Sequence, residues 1–228
     1  MLRRKLAAEA LGTFAVTLAA MSVDILFSTT NQVDYVSRWL ARGFMTTVVI
    51  YTFSEISGAH VDPAVTFGFA LRRDFPARSI AAYWGAQFAG SLAAVLLLQS
   101  FFGRRIAYGA SHPGPHVSPL VAVLCEAVLT AIVMLVILVT AQERSTVGKQ
   151  AAVAVGMSVA ACGFFAGPIS GASMNPARSI VPQLLSGQFD LAWIYAVGPL
   201  AGAALAVGIH RWMCGAPNQD EREAATGE

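Results

Sequence analysis

Charge is what this sequence has least of. Only 28 of its 228 residues are charged, 15 Lys+Arg and 13 Asp+Glu, a share of 12% where a soluble domain carries roughly 25%. That deficit argues against a soluble protein. The net charge of +2 comes from scattered basic residues without a dense run, which leaves nothing to neutralise a nucleic-acid backbone. Cysteine is equally sparse: Cys125, Cys162 and Cys214 lie far apart, in neither a disulfide framework nor a thiolate metal site, and read as small packing residues. Two of the four histidines, His112 and His116, fall in the Pro- and Gly-containing stretch Ser111–Pro119. That stretch cannot form the helical face that presents two imidazoles to zinc. No nucleophile–base cluster stands out either, so no reaction and no cofactor are expected. Met1–Lys5 followed by apolar residues has the look of a secretory signal, but Glu9 interrupts the apolar region and no small-residue cleavage site follows. The segment reads as a retained first span.

What is present is apolar length. Apolar residues make up 56% of the chain, and Ser79–Gly103, Gln150–Ala177 and Leu191–His210 contain no charged residue over about a membrane's thickness. Spans are expected at Leu6–Phe27, Trp39–Ile56, Ser79–Phe102, Leu120–Ala141, Gln150–Phe165 and Leu191–Trp212. Two further apolar segments, Pro63–Leu71 and Pro176–Leu185, have about half the length that a span needs. Each opens with Pro directly after Asp62 or Asn175, an N-terminal helix signal, and reads as a half-helix. Arg3, Arg4, Lys5, Arg72, Arg73, Arg78, Arg144, Lys149 and Arg211 fall on one face, and Arg38, Arg104 and Arg105 on the other. This bias puts both termini in the cytoplasm, and the cell (inner) membrane is the expected location. The tail, residues 214–228, lacks apolar periodicity and is expected to be mobile.

The chain also repeats itself. Ser57-Gly58-Ala59-His60-Val61-Asp62-Pro63-Ala64 matches Ser170-Gly171-Ala172-Ser173-Met174-Asn175-Pro176-Ala177 at an offset of 113 residues, and Ala8-Glu9-Ala10 in the first span resembles Cys125-Glu126-Ala127 in the fourth. Repeat 1 covers about 6–102 and repeat 2 about 120–212. Each has three crossings, so the second copy is inverted. Inverted repeats with broken helices signal a midplane solute pathway. The expected fold is an all-α membrane protein of six transmembrane helices plus two re-entrant half-helices in an inverted 3+3 repeat.

These paired motifs resemble those of the aquaporin (major intrinsic protein) family, over about residues 6–212. The resemblance implies a homotetrameric passive channel in the lipid bilayer for small uncharged solutes: water, glycerol-like polyols or undissociated metalloid acids. It assigns Asp62, Pro63, Ala64, Asn175, Pro176 and Ala177 to the central half-helix motifs and Arg178 to the outer constriction. His60 resembles a pore-lining loop histidine and reads equally as a loop hydrogen-bonding residue, and Glu55 would lie near the inner mouth. By distance from the two motifs, Arg42, Gly163 and Ala172 take the other filter positions. Members that pass water usually carry Phe, His and Cys or Thr there, and glycerol channels an aromatic pair, so this filter departs from both. Gly163 and Ala172 remove bulk, leaving Arg42 to narrow the opening.

Other readings follow from the residues themselves. Glu9 and Glu126 lie in apolar segments, where ionisable groups are costly. They are expected to accept backbone N–H bonds from the re-entrant loops, or alternatively to serve a proton-coupled secondary transporter. Two filter arginines also suit an anion-permeable pore. Asp62 stands where the motif has Asn; its carboxylate caps a helix but has no N–H to offer a solute. Asp24 and Arg42 sit at similar depth, one turn inside adjoining span ends, and are expected to form a charge pair.

Overall fold

The computed structural model describes residues 2–140, 150–216 and 219–227. Ala141, Arg144 and Lys149 lie outside the described residues. The helices are α1 (Leu2–Thr29), α2 (Tyr35–Ser57), α3 (Pro63–Arg72), α4 (Ile80–Phe102), α5 (Pro119–Thr140), α6 (Ala151–Ser170), α7 (Pro176–Ser186), α8 (Ile194–Cys214) and α9 (Gln219–Thr226). Among the described residues, five regions are long and apolar enough to cross a membrane, containing α1, α4, α5, α6 and α8. The sixth crossing is α2, with 23 residues, or about 35 Å at 1.5 Å per residue. Arg38 and Arg42 lower its hydropathy, and both pair with Asp24 of α1.

Each repeat is a three-helix unit around one half-helix. α1 packs against α2 and α4, and α5 against α6 and α8. The repeats then interlock, α3 lying against α8 and α7 against α4. α2 crosses α6 at Gly43 and Gly156, where a Cβ on either residue would stand within 2.5 Å of the other's carbonyl oxygen. Glycine is required there because the two backbones touch.

α3 has 10 residues and α7 has 11, or about 15 Å each, half the hydrocarbon core. Both begin with Pro at the first position and a capping carboxylate or amide before it: Asp62 accepts from Ala64 N at 2.7 Å and Asn175 from Arg178 N at 3.2 Å. Both end on a left-handed residue, Arg73 (φ 77°) and Gly187 (φ 74°).

Two expectations are corrected. α6 does not end at Phe165 but continues to Ser170 through Pro168. Proline cannot donate to the carbonyl four residues earlier, and that carbonyl, Phe164 O, accepts the Tyr35 hydroxyl at 2.6 Å instead. The tail expected to be mobile contains α9, with Glu221 and Ala225 buried. It docks through polar contacts and one small apolar side chain, Ala225, so apolar periodicity gave no sign of it. Lys5 near the start of α1 donates to Thr226 O at 2.6 Å, which puts both ends of the described chain on one face, called the terminal face below.

Candidate permeation site

The two loops entering the half-helices are backbone-strained in the same way. Ala59 (φ 45°) and Val61 (φ 45°) in the first correspond to Ala172 (φ 43°) and Met174 (φ 57°) in the second. A left-handed conformation is costly for residues with a Cβ, above all for β-branched Val61, and each loop is held by one buried carboxylate. Glu9 accepts from Ser57 Oγ (2.7 Å), His60 N (2.9 Å) and Val61 N (2.7 Å). Glu126 accepts from Ser170 Oγ (2.7 Å), Ser173 N (2.9 Å) and Met174 N (2.7 Å). Buried N–H groups at membrane depth need such partners, and carboxylates that accept three bonds are structural anchors.

The loops meet at the centre. Asn175 Nδ2 donates to Val61 O at 2.9 Å, so one half-helix cap also ties the two motifs together. Asp62 has no amide to return the bond. Pro63, Ala64, Pro176 and Ala177 are buried in the first turns of the two half-helices. The partial positive ends of both helices converge here.

A cavity of about 100 Å³ runs past this point, lined by Asp62 and Asn175, by the loop residues Ala59–Val61 and Ala172–Met174, and by apolar side chains including Val16, Ile50 and Val133. One wall offers polar loop backbone and the other hydrocarbon. Arg42 and Arg178 also line it, and His60 lines it toward the terminal face. Glu55 is exposed near the end of α2 on that face.

Asp24 is not paired with Arg42 alone. Its carboxylate, 2% exposed, accepts from Arg42 Nη2, from Arg38 Nε at 2.6 Å and from Arg178 Nη2 at 2.6 Å. Three arginines share one carboxylate. Arg178 Nη1 also donates to Ser111 Oγ, which lies 2.6 Å from Ser179 Oγ. On the far face an open recess of about 440 Å³, lined by Ser28, Arg38, Tyr108, Ser111, His112 and Gln188 among others, leads toward the cluster.

Gly163 does not leave open space. A Cβ there would stand 1.9 Å from the Trp39 ring, and one at Gly167 would stand 2.2 Å from it. Trp39 is wholly buried in this groove, and the Arg42 guanidinium lies 4.1 Å from its ring centroid, close enough for a cation–π contact. The bulk that Gly163 lacks is therefore supplied from α2, neither Gly163 nor Trp39 lines the cavity or the recess, and the expectation that Gly163 opens the filter is corrected. Ala172 lines the cavity and packs against Trp39's cluster.

Sequence reasoning passed over Trp39, Arg38 and Ser111, and also Tyr83 and Tyr195, whose hydroxyls donate to Ser57 O (3.0 Å) and Ser170 O (2.7 Å). The tyrosines were findable, because they occupy matching places in the two repeats. Gln87 adds bonds to Glu9 Oε2 (2.7 Å) and Thr66 Oγ1 (2.9 Å).

Six crossings, two half-helices meeting caps-first and a narrow cavity between them define a membrane channel. The major intrinsic protein family model matches residues 1–210, and the chain belongs to that family. Among its relatives, Aquaporin NIP2-1 of Oryza sativa subsp. japonica is 39% identical over 203 residues, covering 88% of this chain and 67% of that protein. Aquaporin NIP1-4 of the same plant is 41% identical over 201 residues, 87% of this chain and 72% of that protein. The aquaglyceroporin from Plasmodium falciparum shares the fold, with a TM-score of 0.85 over 94% of this chain and 98% of that one at 22% identity. The protein is a passive channel for small uncharged solutes, and not an enzyme.

Proposed function

We propose that the conducting path runs from the far recess between Arg42 and Arg178, past Ala172 and the Asp62–Asn175 centre, to His60, and that it carries hydroxylated neutral solutes, glycerol-like polyols and undissociated metalloid acids, together with water. The observation that carries this reading is Asp24, whose carboxylate engages Arg38, Arg42 and Arg178 at once. It fixes the two pore guanidiniums as donors for solute oxygens while cancelling part of their charge. Apolar side chains of the central cavity, Val16, Ile50 and Val133 among them, give the path a wall suited to a carbon backbone.

The basic-residue bias orients the terminal face to the cytoplasm of a cell-membrane protein. Exposed apolar side chains on the spans, Phe44, Leu96, Phe101 and Leu124 among them, suit lipid or neighbouring copies in a homotetramer. A second reading, an anion-permeable pore, draws on the same cluster, because three guanidiniums outnumber one carboxylate.

Arg178→Val tests the assignment. Cation or proton leak through reconstituted protein should rise as a repelling donor becomes apolar. Unchanged leak from intact oligomers would remove Arg178 from the filter.

A further inference from the structure

α9 packs on the terminal face over the end of α2 and the loop after it, and one of its carbonyls reaches His60, which lines the cavity from that side. His60 is boxed between Phe69 (4.9 Å), Phe75 (4.9 Å) and Tyr83 (5.2 Å). Its Nδ1 lies 3.1 Å from Thr66 Oγ1 and its Nε2 lies 2.9 Å from the carbonyl oxygen of Ala225. An imidazole has only two nitrogens. With α9 docked, both are engaged and none is left for a solute.

The seat for α9 is shaped around it. A Cβ on Gly58 would stand 2.5 Å from Ala225 O, and one on Gly227 would stand 2.8 Å from the backbone of Ile56 and Ser57. Glu221, 3% exposed, pairs with Arg72 at 2.6 Å, and Lys5 holds Thr226 O. The clamp thus spans α1, the loop after α2, and α3. The opposite mouth is built similarly, with His112 O 3.0 Å from a Cβ on Gly171, the counterpart of Gly58, but there the covering segment lies between two spans. α9 follows the last span and is itself polar, carrying Glu221, Arg222 and Glu223. Besides its polar contacts, α9 buries, among the described residues, only the small side chain of Ala225, against the cluster of Phe69, Phe75 and Tyr83, and a helix with so small an apolar footprint can detach without disturbing the bundle.

We propose that α9 is an autoinhibitory plug: docked on His60 and Gly58 it closes the terminal mouth, and its release opens the channel. This inference rests on the pathway proposed above. The test compares glycerol and water flux in proteoliposomes containing the full chain, a chain truncated after Cys214, and full-length Glu221→Arg, which sets two guanidiniums against each other. Both variants should conduct roughly tenfold faster than the parent, the equilibrium shift from losing one charge-assisted contact of about 1.4 kcal/mol. A synthetic peptide of residues 215–228 added to truncated protein should slow it again. Equal flux from correctly assembled parent and variants overturns the plug and leaves the pathway standing. No flux from any of them overturns the pathway itself.

Discussion

Replacing Asp24 by Asn keeps the shape of the far mouth and removes one negative charge from the centre of three guanidiniums. Arg42 and Arg178 are 6% and 3% exposed, so neither recovers hydration when its partner is lost, and breaking a buried ion pair of this kind costs about 3–5 kcal/mol. The asparagine oxygen can still accept one bond, which places the loss toward the lower end. The same change alters what the pore admits. At roughly 6 Å and an effective dielectric of about 20, one elementary charge is worth about 3 kcal/mol to a passing anion, on the order of a hundredfold in occupancy. Asp24→Asn should therefore lower the thermal midpoint of the purified channel and make it conduct nitrate or chloride, read as a shifted reversal potential in planar bilayers under an anion gradient. The parent should stay silent to anions. Anion conductance already present in the parent would favour the anion-pore reading. An assembled Asp24→Asn protein with neither effect would refute the idea that this carboxylate screens the filter.

Trp39→Leu removes the ring against which the pore-lining Arg42 guanidinium lies and should raise the permeability of a four-carbon polyol relative to water, at a folding cost of about 2–4 kcal/mol; an unchanged ratio would show that the indole does not position Arg42. Asp62→Asn supplies the amide that Asn175 already has, placed by the repeat to reach Met174 O, and should lower any cation leak while neutral flux stays the same. Equal leak in both proteins reduces Asp62 to a helix cap. Asp74, beside the α9 latch, has its carboxyl pushed up to about 6 by burial, with Glu221 adding to the rise and Arg72, Arg222 and Arg211 opposing it; His210 is also buried within range of Arg72 and Glu221. Release of α9 would rehydrate Asp74 and remove Glu221, returning its pKa toward 3.8, so docking is favoured by protonation and lost as pH rises through about 6. Flux through the parent should rise about fourfold between pH 5.5 and 7.5, and Asp74→Asn should flatten the profile at the low level; a pH response that survives in Asp74→Asn assigns the switch elsewhere.

The half-helices and their anchors were legible because their signals are local and duplicated. Pro63 after Asp62 and Pro176 after Asn175 are helix starts on their own, and the repeat turns Glu9 and Glu126 from two oddities into one design. Asp24 was found by depth alone, which gave Arg42 as its partner; Arg178 joins only when α7 folds back between the spans. Trp39 was hidden for a similar reason. Gly163 and Gly167 lie one helical turn apart and form a groove on α6, but only the crossing of α2 over α6 shows that an indole fills it. α9 was missed because it docks by polar contacts and the single small side chain of Ala225, which leave no periodicity to read, and the end of α6 because Tyr35 supplies the bond that Pro168 forfeits.

Passive conduction of neutral solutes can be measured by stopped-flow light scattering on proteoliposomes, comparing water, glycerol, urea and an undissociated metalloid acid with and without a proton gradient. A passive channel gives flux along each solute's own gradient at a rate the proton gradient does not change, with glycerol and the undissociated acid well above protein-free vesicles. Uphill accumulation, or flux that rises and falls with the proton gradient, contradicts it.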